Sequence, residues 1–508
     1  MQSFLAKLDK YFKISERGST VKTEIIAGLT TFFAMAYIVV TNPNQIVGFN
    51  FGGDFDTIWN AVYVASILVA VVGTLLYAFY AKLPFAQACG MGLNSFFFVA
   101  FILPALLSGG DVIQGYREGL CVILLSGVLF LVLSLTGARQ YIAKALPDCL
   151  KKAIPAGIGL FIAFIGFKNV GIIQENQYTF VQFFDFHGIF SAVGSSVAEL
   201  TANGASRAVI AAFTTQMNYD LVAEITFMDA WRVVAPVIIG LLGLMAIAVL
   251  DKFKVKGSVI LTIVGSTLVY YLITWQLPSF DIGQIGQSFV DFGKIGIVGA
   301  FGGFTIFAGG IAAIINAIVL TITFSLVDMF DTIGTLYGTA SQADMLDENG
   351  DPININESMA CDSIATVTGG LLGTSTCTTF VESASGVAAG GRTGLASVVT
   401  AACFFLCLFL TPVAAIVPAC ATAPALIYVG VLMLKNFAKV DMSDITEAVP
   451  AFLALIMMPL TYSISNGIAI GAIAYTIVAA ATGKYTKKDI VVTVIAVLFT
   501  LRFFLVSM

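Results

Sequence analysis

Charge is what this chain has least of. Only 11% of its 508 residues are Asp, Glu, Lys or Arg, while 58% are apolar. Soluble domains carry roughly a quarter charged residues. A soluble chain of this length could not cover its surface, so much of that surface must face lipid. Histidine is nearly absent, and the single His187 lies in a loop-like stretch and reads as incidental. The eight cysteines are scattered without a CxxC pair, so neither a disulfide framework nor a zinc site is indicated. No GxxxxGK[ST] phosphate loop occurs, which argues against direct drive by ATP. With no metal-ligand cluster and no nucleophile–base set, an enzyme is not expected, nor a metal or cofactor. The net charge of −5 gives no reason to expect nucleic acid as a partner. Residues 1–23 lack the apolar core and cleavage site of a signal peptide and read as a cytoplasmic tail with a short amphipathic helix.

What the chain does have is apolar runs near 20 residues, the length that crosses a bilayer. They predict spans at 24–47, 58–80, 92–107, 119–137, 151–168, 232–250 and 257–275, then 311–338, 358–373, 382–391, 394–416 and 420–436. Two or three more fall in 446–507, where Ser465-Asn466-Gly467 is expected to break 446–483 in two. Basic residues cluster at Lys7–Lys22, at Arg139–Lys152 and at Lys252–Lys256. All three clusters fall on one side when the N-terminus is cytoplasmic, as the positive-inside rule requires. The polar stretch 177–230 has no evident role.

Two stretches interrupt the apolar pattern alike: Phe85-Ala-Gln-Ala-Cys-Gly-Met-Gly-Leu-Asn94 and Thr374-Ser-Thr-Cys-Thr-Thr-Phe-Val-Glu382. Each reads as a short extended segment leading into a half-length helix, with Thr favouring strand and Gly90 and Gly92 supplying a break. Such backbone at membrane depth must be buried in protein or line a cavity. A second echo links Ile154-Pro-Ala…Lys168-Asn169 with Ala423-Pro-Ala…Lys435-Asn436. Echoes about 270–290 residues apart are what two inverted repeats leave behind.

The informative residues are acids at bilayer depth. Glu24, Glu118, Asp148 and Glu447 sit at span ends and read as solvated helix termini. Asp328 and Asp331 lie inside a long apolar helix, spaced i, i+3 on one face. A carboxylate there costs at least about 2.5 kcal/mol. At least one of the pair is therefore expected to carry a proton near neutral pH. Glu382 is expected at the start of the second half-helix, where the helix dipole favours an anion. Asn94 is expected at the matching place on the first, offering donors and acceptors. Gly92, Thr379 and Ser383 flank these positions and complete the candidate binding set. Arg392 is expected to reach the headgroups. Such a site suits a planar ligand with N–H donors and ring acceptors, stacked on Phe32, Phe33, Tyr37 or Phe380.

At these residues the chain resembles the AzgA-like hypoxanthine–adenine–guanine permeases, a branch of the nucleobase–cation symporter-2 superfamily. The likeness covers nearly the whole chain. It is carried by Thr31–Ile38 with Asn42-Pro43, Gly90–Asn94, Val327–Thr335, Glu382–Val387, Gly390–Gly394 and Pro418–Ala425. It implies an all-α polytopic fold of about fourteen transmembrane segments in two inverted seven-span repeats. It also implies a core domain (24–138 and 276–416) and a gate domain (139–275 and 417–508) that forms a homodimer. Import of adenine, guanine or hypoxanthine across the cell's inner membrane, by proton symport with sodium as the alternative, is what the family would do. Asp331, Glu382 and Asn94 match its binding residues, and Asp328 with Asp331 its proton-coupling acids. A xanthine or uracil carrier is the nearest alternative, but that branch has Asn after the acid where Ser383 stands here. An anion exchanger of related fold would want a positive or neutral site.

Overall fold

The computed structural model describes residues 2–136, 147–176, 179–214, 223–255, 257–278, 280–342, 345–346, 352–380 and 382–505. Among them, ten helices are long and apolar enough to cross a membrane, and four further apolar helices are shorter. The chain is an all-α, multi-pass membrane protein whose strands are few and short. Local chemistry sets several helix ends. A Thr226–Asp229 capping box starts Phe227–Lys252. Asp444 caps Ile445–Leu460 by accepting from Thr446 N at 3.0 Å. The Lys484 ammonium at 2.6 Å, and then Thr446, hold the Asp444 carboxyl down at about 2. The first span is broken into Val21–Met35 and Ile38–Ile46, with Tyr37 at the break and Pro43 inside the second piece.

The strands are β1 (Gln87–Cys89), β2 (Ile173–Asn176), β3 (Phe180–Phe183) and β4 (Cys377–Thr379). The β1 and β4 strands pair antiparallel, with Gln87 opposite Thr379 and Cys89 opposite Cys377. Each leads into a short helix, Met91–Phe97 and Ser383–Ala388 respectively. The two extended segments and their half-helices thus stand where the sequence places them. Antiparallel pairing of two units with the same strand-then-helix order is the local mark of inverted repeats.

The chain forms two compact units. One comprises residues 163–280 and 416–429. In it the polar insertion builds the β2–β3 hairpin and three short helices over a core that includes Phe184, Ile189, Phe213, Ile225 and Val233. Residues 177–178 and 215–222 of that insertion lie outside the described residues. Within the same unit the end of the first echo's helix meets the start of the second's, since a Cβ on Gly166 would stand 3.1 Å from Ala423 O. The other unit, residues 1–162, 281–415 and 430–508, holds β1, β4 and both half-helices.

Two expectations are corrected. Ser465-Asn466-Gly467 is not a break: all three residues lie inside the Ile464–Ala481 helix. The interruption falls at 461–463, after Pro459 and before Ser463, which caps the new helix through Asn466 N. Gly467 instead lets that helix close on Met458 and Ala454 O, the latter 2.8 Å from where a Cβ would sit. Glu24 is not a solvated terminus. It is fully buried and accepts from the backbone N–H groups of Arg392 at 2.8 Å, Thr393 at 3.2 Å and Ala396 at 3.3 Å. It therefore satisfies donors at the start of Gly394–Leu406, donors that no helical carbonyl can reach.

Candidate functional site

The site begins with a backbone problem. A two-stranded ribbon in a membrane leaves N–H groups that no ladder uses, and each must find a partner. Side chains from neighbouring helices supply them. Gln87 N donates to Thr74 Oγ1 at 3.0 Å, Cys377 N to Thr366 Oγ1 at 3.0 Å, and Thr379 N to Asp362 Oδ2 at 3.1 Å. The ribbon ends are closed by Gly90 N to Thr376 O and Phe380 N to Ala86 O, both 3.0 Å.

Asp362, on the Ile355–Leu372 helix, is the residue that sequence reasoning missed. It is fully buried and gathers four groups. Thr332 Oγ1 donates at 2.6 Å, Thr379 Oγ1 at 3.0 Å, Thr379 N at 3.1 Å, and Gln87 Nε2 completes the set. One carboxylate thereby ties β1, β4 and the Gly310–Gln342 helix together. Charge-assisted bonds of this kind are the strong ones. The signal was an Asp within the predicted 358–373 span, muted by the other polar residues of that span.

Asp328 and Asp331 share a helix face but not an environment. Asp328 is 1% exposed. Thr366 Oγ1 donates to its Oδ2 at 2.7 Å, while its Oδ1 has no hydrogen-bond partner among the described residues. Asp331 is partly exposed, with Oδ2 3.9 Å from where a Cβ on Gly90 would stand. Glu382 is also partly exposed and close enough to Asp331 for their charges to interact. It occupies the N-cap position of a helix only six residues long and makes no side-chain capping bond. What holds it is Tyr37, whose hydroxyl donates to Oε1 at 2.7 Å.

The remaining candidates divide. Asn94 is fully buried in the first turn of its half-helix, five residues beyond β1, whereas Glu382 follows β4 by three. The two places are therefore not equivalent. Thr379 and Ser383 serve the scaffold: Thr379 Oγ1 meets Tyr77 Oη at 2.6 Å, and Ser383 Oγ accepts from Ala86 N at 3.0 Å. Gly92 is where the half-helix closes on Ile158, which a Cβ would overlap. Arg392 does not reach outward. Its Nη1 donates to Val387 O and Gly391 O, each at 2.8 Å, satisfying carbonyls at the end of the short helix. Of the aromatic candidates, Phe33 is 52% exposed and Phe32 packs edge-on to Phe404 at 5.3 Å, so only Tyr37 and Phe380 stay with the site.

A family model described as a permease family, of the xanthine/uracil type, matches residues 22–212 and 205–470. The chain belongs to this permease family. It is a transporter and not an enzyme. The adenine permease AdeQ of Escherichia coli is 35% identical, over 98% of this chain and 97% of that protein. The guanine/hypoxanthine permease PbuO of Bacillus subtilis is 36% identical, over 97% of this chain and all 100% of that one. Among solved structures, the transmembrane domain of the cyanobacterial bicarbonate transporter BicA aligns with a TM-score of 0.57 over 88% of this permease and 97% of that chain. At 15% identity that likeness speaks to the fold alone.

Proposed function

We propose that this permease imports purine nucleobases across the cell's inner membrane, N-terminus inside, by symport with protons. The carrying observation is that Asp331 and Glu382, from segments far apart in sequence, come together partly exposed beside the β1–β4 ribbon. A carboxylate accepts paired N–H groups from one edge of a heterocycle, and partial exposure leaves room for that edge. Full-length relatives named as adenine and guanine/hypoxanthine permeases support purines as the cargo. Among the described residues no Lys or Arg forms an ion pair with these acids, which disfavours the anion-exchange alternative.

Proton coupling is assigned to Asp328. Its Oδ1 is buried without a donor, so the charged form is poorly solvated and a proton relieves it. Asp362, with its four donors, has no such open oxygen and serves to hold the ribbon. Residues 24–138 with 276–416 would carry the site as a core, and 139–275 with 417–508 would form the dimerising gate. Uptake of labelled adenine, guanine, hypoxanthine, xanthine and uracil by a transport-null host tests the cargo. Asp331→Asn and Glu382→Gln should each weaken purine uptake at least about tenfold, the worth of one charge-assisted hydrogen bond. Wild-type affinity in both variants would remove these acids from the site.

A further inference from the structure

The Ile38–Ile46 helix carries the run Thr41-Asn42-Pro43-Asn44-Gln45, and every one of these residues is buried. So polar a run inside a span calls for partners, and most of it has them. The Asn42 amide nitrogen donates to Ser66 Oγ and to Thr374 Oγ1, and Asn44 Oδ1 accepts from Trp59 Nε1 at 2.7 Å. Asn42 Oδ1 and Asn44 Nδ2 have no partner among the described residues, and Gln45 is half satisfied in the same way. Its Oε1 accepts from Asn94 Nδ2 at 3.3 Å, while its Nε2 has no partner among the described residues. Asn94 Oδ1, on the other side of the same bond, has none either. Gln45 is 1% exposed and Asn94 is fully buried. Buried amide groups left in this way are costly unless something else completes them.

The pair is linked to Asp331 through Gly90. Asn94 N bonds to Gly90 O at 3.1 Å, and Gly90 is the residue that Asp331 Oδ2 approaches. We propose that Gln45 reads the substrate together with Asn94, the two amides presenting one donor and one acceptor to a single edge of a purine. This inference rests on the purine reading above.

The chemistry explains how one site takes both purine types. Adenine offers a ring-nitrogen acceptor beside a 6-amino donor, and an oxopurine offers a ring N–H donor beside a 6-oxo acceptor. These are the same two positions with reversed polarity. The oxygen and nitrogen ends of a terminal amide have nearly the same shape. Turning both amides over keeps the Gln45–Asn94 bond, now from Gln45 to Asn94. It leaves Gln45 Oε1 and Asn94 Nδ2 open in place of Gln45 Nε2 and Asn94 Oδ1. The pair matches either edge without moving the backbone.

The test uses the full chain in proteoliposomes, with inhibition constants for adenine, hypoxanthine and guanine against a labelled purine. Gln45→Met removes the amide at similar length. It should cost adenine and hypoxanthine about fivefold each, the worth of one neutral hydrogen bond, while transport continues. Gln45→Glu presents only acceptors, so Asn94 must donate to it and keep its own oxygen open. Two open acceptors favour guanine, with its adjacent N1–H and 2-amino donors, and the adenine-to-guanine affinity ratio should fall about fivefold. Should the Met variant fail to reach the membrane, the ratio in the Glu variant decides. An unchanged ratio there, or wild-type affinity for every purine in the Met variant, overturns the proposal and leaves Gln45 a packing residue. Failure of the wild-type protein to take up any purine would instead sink the reading on which it rests.

Discussion

Tyr37 and Glu382 lie 345 residues apart in the chain and are joined by a 2.7 Å hydrogen bond from the tyrosine hydroxyl to Oε1. Tyr37 stands at the break in the first span, so the position of the second half-helix's acid is fixed from the opposite end of the protein. Removing the hydroxyl by Tyr37→Phe leaves Glu382 without its side-chain donor and free to rotate. Substrate affinity should drop about tenfold, the lower end of what a charged hydrogen bond contributes. Uptake kinetics measured at equal amounts of protein in the membrane give the answer, and an unaltered KM would show that Glu382 is held by other means.

Asp362 is predicted to be more critical to the fold than any acid that meets the ligand. In Asp362→Asn one oxygen becomes an NH2 group facing donors on Gln87, Thr332 and Thr379. At least two charge-assisted bonds are lost or reversed, about 3 kcal/mol or more together. The variant should melt several degrees lower in detergent and transport no purine. A variant with unchanged melting and normal uptake would contradict the clasp described here.

The register of the ribbon is open to a direct chemical test. Because Cys377 N and Thr379 N are directed to side chains and not to β1, the Cys89–Cys377 pair is of the narrow, non-hydrogen-bonded kind. Such pairs have Cα atoms about 4.5 Å apart, within the range a disulfide spans. In a variant with the other six cysteines replaced, a membrane-permeant diazene oxidant should link the two, taking up the two hydrogens released. Peptide mapping by mass spectrometry should recover a cross-linked 89–377 pair. Oxidation that yields only separate thiols, or sulfenic acids, would mean the strands are registered differently.

Asp328→Asn separates transport from its driving force. The amide still accepts from Thr366 but cannot take up a proton. Downhill exchange of purine should persist, while accumulation driven by an imposed proton gradient should vanish. Proteoliposomes with proton and sodium gradients imposed singly distinguish the cases. Accumulation by the wild type on sodium alone, or by the variant on protons, would each refute the assignment.

Much of this was legible in the amino acids. Long apolar runs place the spans, because lipid tolerates little else. The Thr-rich and Gly-containing interruptions place the ribbon and half-helices for the same reason. Asp328 and Asp331 stand out because they interrupt an apolar helix. Asp362 escaped because its own helix is already polar, with Ser358, Ser363 and Thr366 around it, all buried. Glu24 misled because a residue at the end of a span looks solvated until the chain returns, and here 392–396 returns on top of it. Glu382 was expected to rely on the helix dipole, but its helix is one and a half turns long and the donor is a tyrosine no local pattern could connect to it. Pairings across hundreds of residues are decided by the packed chain and leave no periodic trace.

The ribbon's outward N–H groups are held by Thr74, Thr366 and Asp362, none of which is among the groups proposed to meet the cargo. Asp331, Glu382, Asn94 and Gln45 stand on the helices around it. Foundation and reading head are therefore separately mutable. A lineage can exchange the reading side chains and acquire a new cargo without rebuilding the membrane-embedded backbone. A change at Thr74 or Thr366 removes the partner of a strand N–H and so disturbs the ribbon whatever the cargo. Divergence within such a family should accordingly fall on the helices and spare the hydroxyls that anchor the strands.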